Sequence, residues 1–139
     1  MSSANLDLVR SIFAAWERGD VSSSDWADPA IEFVIADGPS PGTWTGIAGM
    51  ARGGREWLSP WKEFLAEADE YRDLDAQRVL VLDRRGGRGK ASGLDVREMR
   101  TEGAVVFNVR GGKVTRLAIY LDRDRALADL GIAPEADAP

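Results

Sequence analysis

The stretch that decides the fold runs from Gly103 to Leu121, GAVVFNVRGGKVTRLAIYL. Two runs rich in β-branched and aromatic residues, Ala104 to Val109 and Val114 to Leu121, flank Gly111-Gly112. A Gly-Gly pair accepts the positive φ angles of a tight turn, so the stretch is predicted to be a β-hairpin. Both runs are apolar on both faces: Val105, Phe107 and Val109 alternate with Ala104 and Val106, and Leu117, Ile119 and Leu121 with Ala118 and Tyr120. A strand with one wet face carries a polar residue at every second position, so the hairpin is expected mid-sheet with both faces covered. The chain's own helices would cover one face and a second copy of the protein the other, which makes a homodimer the expected assembly.

Downstream, Asp122 is placed to cap a final helix from Arg123 to Leu130, stopped by Gly131, with residues 134–139 as a flexible tail. Upstream, a strand beginning near Leu94 leads into the hairpin, with Gly103 as a bulge or bend. The basic, Gly-rich Arg85 to Lys90 reads as a hairpin loop, and it lacks the residue order of a phosphate-binding P-loop. Gln77 to Arg84 is a buried strand around Val79-Leu80-Val81-Leu82, and Ala66 to Leu74 a more polar, edge-like one. Ile47 to about Phe64 is predicted as a long helix with a kink or break near Pro60. Ile31 to Ala36 is a strand, preceded by a short helical turn around Trp26 and followed by a Pro- and Gly-rich loop from Asp37 to Gly42. The first helix runs to about Arg18, with Leu6, Val9, Phe13 and Trp16 recurring at helical spacing. Helices at the front followed by hairpin-linked strands define an α+β layered fold, expected as one domain over residues 1–133.

Composition excludes several chemistries. The chain of 139 residues has no Cys and no His, so it offers no thiol nucleophile, no disulfide, no Ser-His-Asp triad and no imidazole or thiolate metal site. No loop with calcium-binding spacing is present, and no cofactor is implied. A net charge of −5, with no continuous Lys or Arg stripe, argues against nucleic acid as a partner. No apolar run reaches the length of a membrane span and the first residues do not read as a secretory signal, so a cytoplasmic location with no membrane partner is expected.

Four segments carry a family resemblance: WERGD at Trp16 to Asp20, SSSDWADPAIEFVIADG at Ser22 to Gly38, WTGIAGM at Trp44 to Met50, and RGGKVTRLAIYLDRDRAL at Arg110 to Leu127. In order and spacing the chain resembles the NTF2-like superfamily, and within it the SnoaL-like proteins. The resemblance implies a cone in which a curved antiparallel sheet wraps the N-terminal helices around an internal pocket. For function it implies a range: isomerases, epoxide hydrolases, polyketide cyclases, dehydratases and non-catalytic subunits share this fold. The catalytic positions of the ketosteroid isomerases fall close to Ile12, Ile35 and Val105, all apolar here. The Asp-Arg-Asp network of limonene epoxide hydrolase has only a superficial counterpart at Val96 to Arg100.

The candidate residues follow from chemistry and position. Asp37, at the end of an apolar strand, is a candidate general base, with Arg100 or Tyr120 as the electrophilic partner. Set against this, Asp37 starts a turn and its side chain can bond backbone amides of its own loop, a reading that Asp-Gly favours. Each of the five Trp residues can bury on the order of 200 Å². A ligand pocket for a small apolar or cyclic organic molecule would be lined by Phe13, Trp16, Phe33, Ile35, Trp44, Trp57, Trp61, Val105, Phe107, Leu117 and Ile119, with Trp16 and Trp61 nearest the cavity. The three functional readings are thus a small-molecule-binding protein, an isomerase, cyclase or hydrolase using Asp37, and a non-catalytic dimeric interaction subunit.

Overall fold

A computed structural model describes residues 4–18, 20, 24–37, 41–58, 61–89 and 101–132. In chain order the elements are α1 (Ala4–Glu17), β1 (Ala27–Ile35), β2 (Gly42–Thr45), α2 (Gly46–Leu58), β3 (Trp61–Asp73), β4 (Arg78–Gly89), β5 (Thr101–Arg110), β6 (Lys113–Tyr120) and α3 (Arg123–Leu130). The strands form one sheet in the order β2-β1-β6-β5-β4-β3. All neighbours are antiparallel except β1 and β6, which run parallel, so the expected antiparallel sheet is a mixed one.

The hairpin forms as read. β5 and β6 pair from Ala104↔Tyr120 to Arg110↔Lys113, around Gly111 and Gly112 at φ 59° and 77°. Strand alternation then sorts its side chains. Val105, Phe107, Leu117 and Ile119 join Val79 and Val81 of β4 and Phe33 and Ile35 of β1 on the inner face, packed against Leu6, Val9, Ile12 and Phe13 of α1. Burying each large apolar side chain contributes about 1.5–3 kcal/mol, so this cluster anchors α1 to the sheet. On the outer face, Leu80, Leu82, Ala104, Val106, Ala118 and Tyr120 pack under Ala126 and Leu127 of α3. Over these residues the second cover is therefore the chain's own last helix.

Several boundaries differ from the sequence reading, each for a physical reason. α2 ends at Leu58 instead of continuing to Phe64, because the residue before a proline is disfavoured in helical conformation and Pro60 follows. Trp61 and Phe64 consequently belong to β3, which begins five residues before the expected Ala66. β4 runs through the Gly-rich segment to Gly89, paired from Ala66↔Arg85 to Trp61↔Gly89, so Arg85 to Gly89 is strand and not loop. β1 begins at Ala27, with a register irregularity between Ala27 and Glu32 that accommodates Pro29. The four-residue β2 pairs with β1 where only a lead-in to α2 was read. Gly103 is not a bulge: pairing with β4 is unbroken from Arg78↔Asn108 through Asp83↔Gly103 to Arg85↔Thr101. The expected strand start at Leu94, with Arg97, Glu98 and Arg100, lies outside the described residues, as does the tail. Among the described residues no helix is long and apolar enough to cross a membrane.

Candidate functional site

On the flank of α1 that faces the entry to β1, Ser11, Ile12, Ala15, Trp16, Arg18, Asp20 and Trp26 line a cavity of about 240 Å³. Its shape follows from how the chain leaves the helix. The Arg18 N–H donates to the carbonyls of Ala14 (3.2 Å) and Ala15 (3.1 Å), and the Asp20 N–H to that of Ala15 (2.9 Å), closing the last turn. The chain returns at Trp26, whose carbonyl accepts the Val114 N–H at 2.8 Å, and Lys113 Nζ donates to the Asp25 carbonyl. The small Ala15 side chain leaves the gap between helix and returning chain unfilled. Trp16 forms the inner wall: its ring stacks on Phe107 (5.8 Å, 28°), meets Phe13 at 5.4 Å, and stands edge-on to Trp26 (6.1 Å, 74°). Two indoles thus meet nearly at right angles, with Ile12, Ala15, Arg18 and Asp20 among the other lining residues.

Of the residues expected to line a pocket, Trp16 borders this cavity. Phe13, Phe33, Ile35, Val105, Phe107, Leu117 and Ile119 are buried in the inner cluster, and Trp44 and Trp57 are partly buried against it. These side chains pack on one another. The Trp61 side chain lies outside the described residues. Sequence reasoning did not assign Ser11, Ile12, Ala15, Arg18 or Asp20 to a pocket; the available signal was the i, i+4, i+7 spacing of Ser11, Ala15 and Arg18 beside Trp16.

A second polar constellation joins β4 to the end of β6. Asp83 and Arg85 continue the inner-face alternation of Val79 and Val81 and are 1% and 4% exposed. Arg85 Nε donates to Asp83 Oδ2 at 2.8 Å and Nη2 to Asp83 Oδ1 at 3.2 Å. The same guanidinium donates to the carbonyls of Tyr120 (2.8 Å) and Ala104 (3.2 Å) and lies 5.6 Å from the Trp57 ring centre. Burial raises the Asp83 carboxyl from its ordinary pKa, against the opposing pull of Arg85. Gly103 is needed here for clearance: a Cβ would sit 2.7 Å from the Tyr120 carbonyl oxygen and 2.8 Å from Arg85 Cζ.

Asp37 meets this constellation from the other side. Its Oδ1 accepts the Leu121 N–H at 2.6 Å and its Oδ2 the Asp122 N–H at 3.1 Å. The peptide between Tyr120 and Leu121 is therefore held at both ends, its carbonyl by Arg85 and its N–H by Asp37. Asp37 does bond backbone amides, and the described ones belong to the β6–α3 junction. Tyr120 points its ring into the outer cluster and donates its hydroxyl to Asp129 Oδ2 at 3.1 Å. Burial, with the bond to Asp129, raises the Tyr120 pKa. The Tyr120 hydroxyl is thus on the face opposite the inner cluster. Arg100 lies outside the described residues.

No protein-family model matches the sequence, and no curated protein matches it. Solved structures do match in fold. TerC, co-crystallised with polyporic acid, superposes with a TM-score of 0.73 at 20% identity, covering 92% of this chain and 98% of that one. An NTF2-like protein of unknown function from Burkholderia pseudomallei superposes with a TM-score of 0.75 at 20% identity, over 91% and 97% of the two chains. A putative SnoaL-like polyketide cyclase from Jannaschia sp. CCS1 gives 0.70 at 14% identity, over 94% of each. The chain has the NTF2-like α+β fold, as the resemblance in its sequence implied.

Proposed function

We propose that this SnoaL-like protein binds a small cyclic organic molecule in the cavity between α1 and the entry to β1. The cavity itself carries the proposal: about 240 Å³ bordered by Trp16, Trp26, Ile12 and Ala15 suits a ring system of one or two cycles, with polar groups to orient it. That TerC, of the same fold, was crystallised with an organic acid supports this class of ligand. The catalytic alternative has less support, since both oxygens of Asp37 already accept backbone N–H groups. Mass spectrometry of the protein purified under native conditions tests the proposal. A co-purifying cyclic compound that is lost in Trp16→Ala is expected; a compound retained equally by both proteins contradicts this cavity as its site.

The interaction reading keeps one observation of its own. Across the lower outer face, Arg78, Asn108, Arg116 and Glu32 stand in register on β4, β5, β6 and β1. Asn108 Oδ1 is buried without a hydrogen-bond partner among the described residues, and unsatisfied buried acceptors are costly. Because the row carries both charges, a second copy of the chain can meet it with complementary groups and supply the missing donor. Light scattering at micromolar concentration is expected to show a dimer weakened by Asn108→Leu. A monomer in the wild type removes the proposal.

A further inference from the structure

The proposed cavity has a charge asymmetry that specifies its ligand further. Arg18 lines the cavity, and its side chain makes no hydrogen bond or ion pair with any described residue; the bonds of this residue run from its backbone N–H. Its neighbour Glu17 is committed elsewhere, with Oε2 accepting the Ala68 N–H at 3.0 Å. With this cation, two indoles in edge-on contact line the same cavity and offer aromatic surface to a flat ring. We propose that the cavity selects a planar aromatic monoanion, a carboxylate or phenolate, with its ring against Trp16 and Trp26 and its charge on Arg18. This rests on the cavity being a ligand site.

Two features oppose an anion here, and magnitudes decide against them. The carbonyl end of α1 carries roughly half a negative charge, but the N–H groups of Arg18 and Asp20 already occupy the Ala14 and Ala15 carbonyls, and a full guanidinium charge outweighs what remains. Asp20 adds a carboxylate-bearing residue to the lining, which disfavours a dianion and orients a monoanion toward Arg18. A cationic ligand caged by the indoles would have to sit beside Arg18, a like charge. The planar guanidinium, by contrast, matches a carboxylate with two parallel N–H donors.

The test is calorimetric titration of the full chain with naphthoate and, separately, with the neutral isostere naphthamide, near neutral pH. Wild-type protein is expected to bind naphthoate about tenfold more tightly than naphthamide, the size of one charge-assisted contact. Arg18→Gln should lower naphthoate affinity about tenfold and remove most of that difference, while Asp20→Asn should tighten naphthoate. Equal binding of both probes, unaltered by Arg18→Gln, overturns the anion preference and leaves the cavity proposal standing. Failure of both probes to bind, or binding that Trp16→Ala leaves unchanged, overturns the cavity proposal and this inference with it.

Discussion

At the level of single residues, the buried polar groups near the end of β6 have roles that substitution separates. Gly103→Ala places a methyl against backbone on one side and the Arg85 guanidinium on the other, so a loss of about 1–3 kcal/mol in urea unfolding is expected. Asp37→Asn turns one of two acceptors into a donor facing a backbone N–H, and should lower stability by about 1–3 kcal/mol without changing ligand affinity. Loss of binding or turnover at unchanged stability would instead make Asp37 a functional group. Asp83 gives a pH signature. Because burial raises its folded pKa above the ordinary value near 3.8, the folded protein holds this proton more tightly than the unfolded chain does. Its contribution is full below the unfolded pKa and is lost as pH rises through the folded one. The stability of wild type relative to Asp83→Asn should therefore fall as pH is raised from about 3 toward neutrality, read from urea midpoints; a pH-independent difference contradicts the assignment. Asp83 and Arg85 were legible in principle, since they continue the alternation of Val79 and Val81. Their pairing was not, because it needs the turn-rich Arg85 to Gly89 segment to be strand.

The elements show why some boundaries were readable and others were not. α1, the β5–β6 hairpin and α3 carry local signals: helical spacing, a Gly-Gly turn, an Asp cap and a Gly stop. The Asp122 carboxylate accepts the Asp124 N–H, and Gly131 takes the left-handed conformation that ends α3. The upper half of β4 carries no such signal, because glycine has low strand preference and its placement there comes from long-range pairing with β3. β2 is four residues long and exists as strand through its bonds to β1. The role of α3 was also hidden, since an apolar outer face does not say whether a helix of the same chain or another molecule covers it. Leu127→Ala, at the centre of that cover, should cost about 2–5 kcal/mol and increase binding of a hydrophobic dye to the uncovered sheet. No loss of stability would mean that α3 is not what buries Val106 and Ala118.

For the whole molecule, the described aromatic and aliphatic residues expected to line a pocket pack on one another on the inner face, and a cavity lies to one side, beside Trp16 and Trp26. Composition could name the aromatic residues but not which of them pack on one another, a property of register and helix position that is set by tertiary contacts. The proposed binding function depends on that lateral cavity. The measurement that tests it most directly is nuclear magnetic resonance of the five indole N–H groups, assigned by single Trp→Phe variants, during titration with naphthoate. The account predicts saturable shifts at Trp16 and Trp26, with Trp44 and Trp57 unmoved. Shifts centred on Trp57 and Trp44, or none at Trp16 and Trp26, would contradict it.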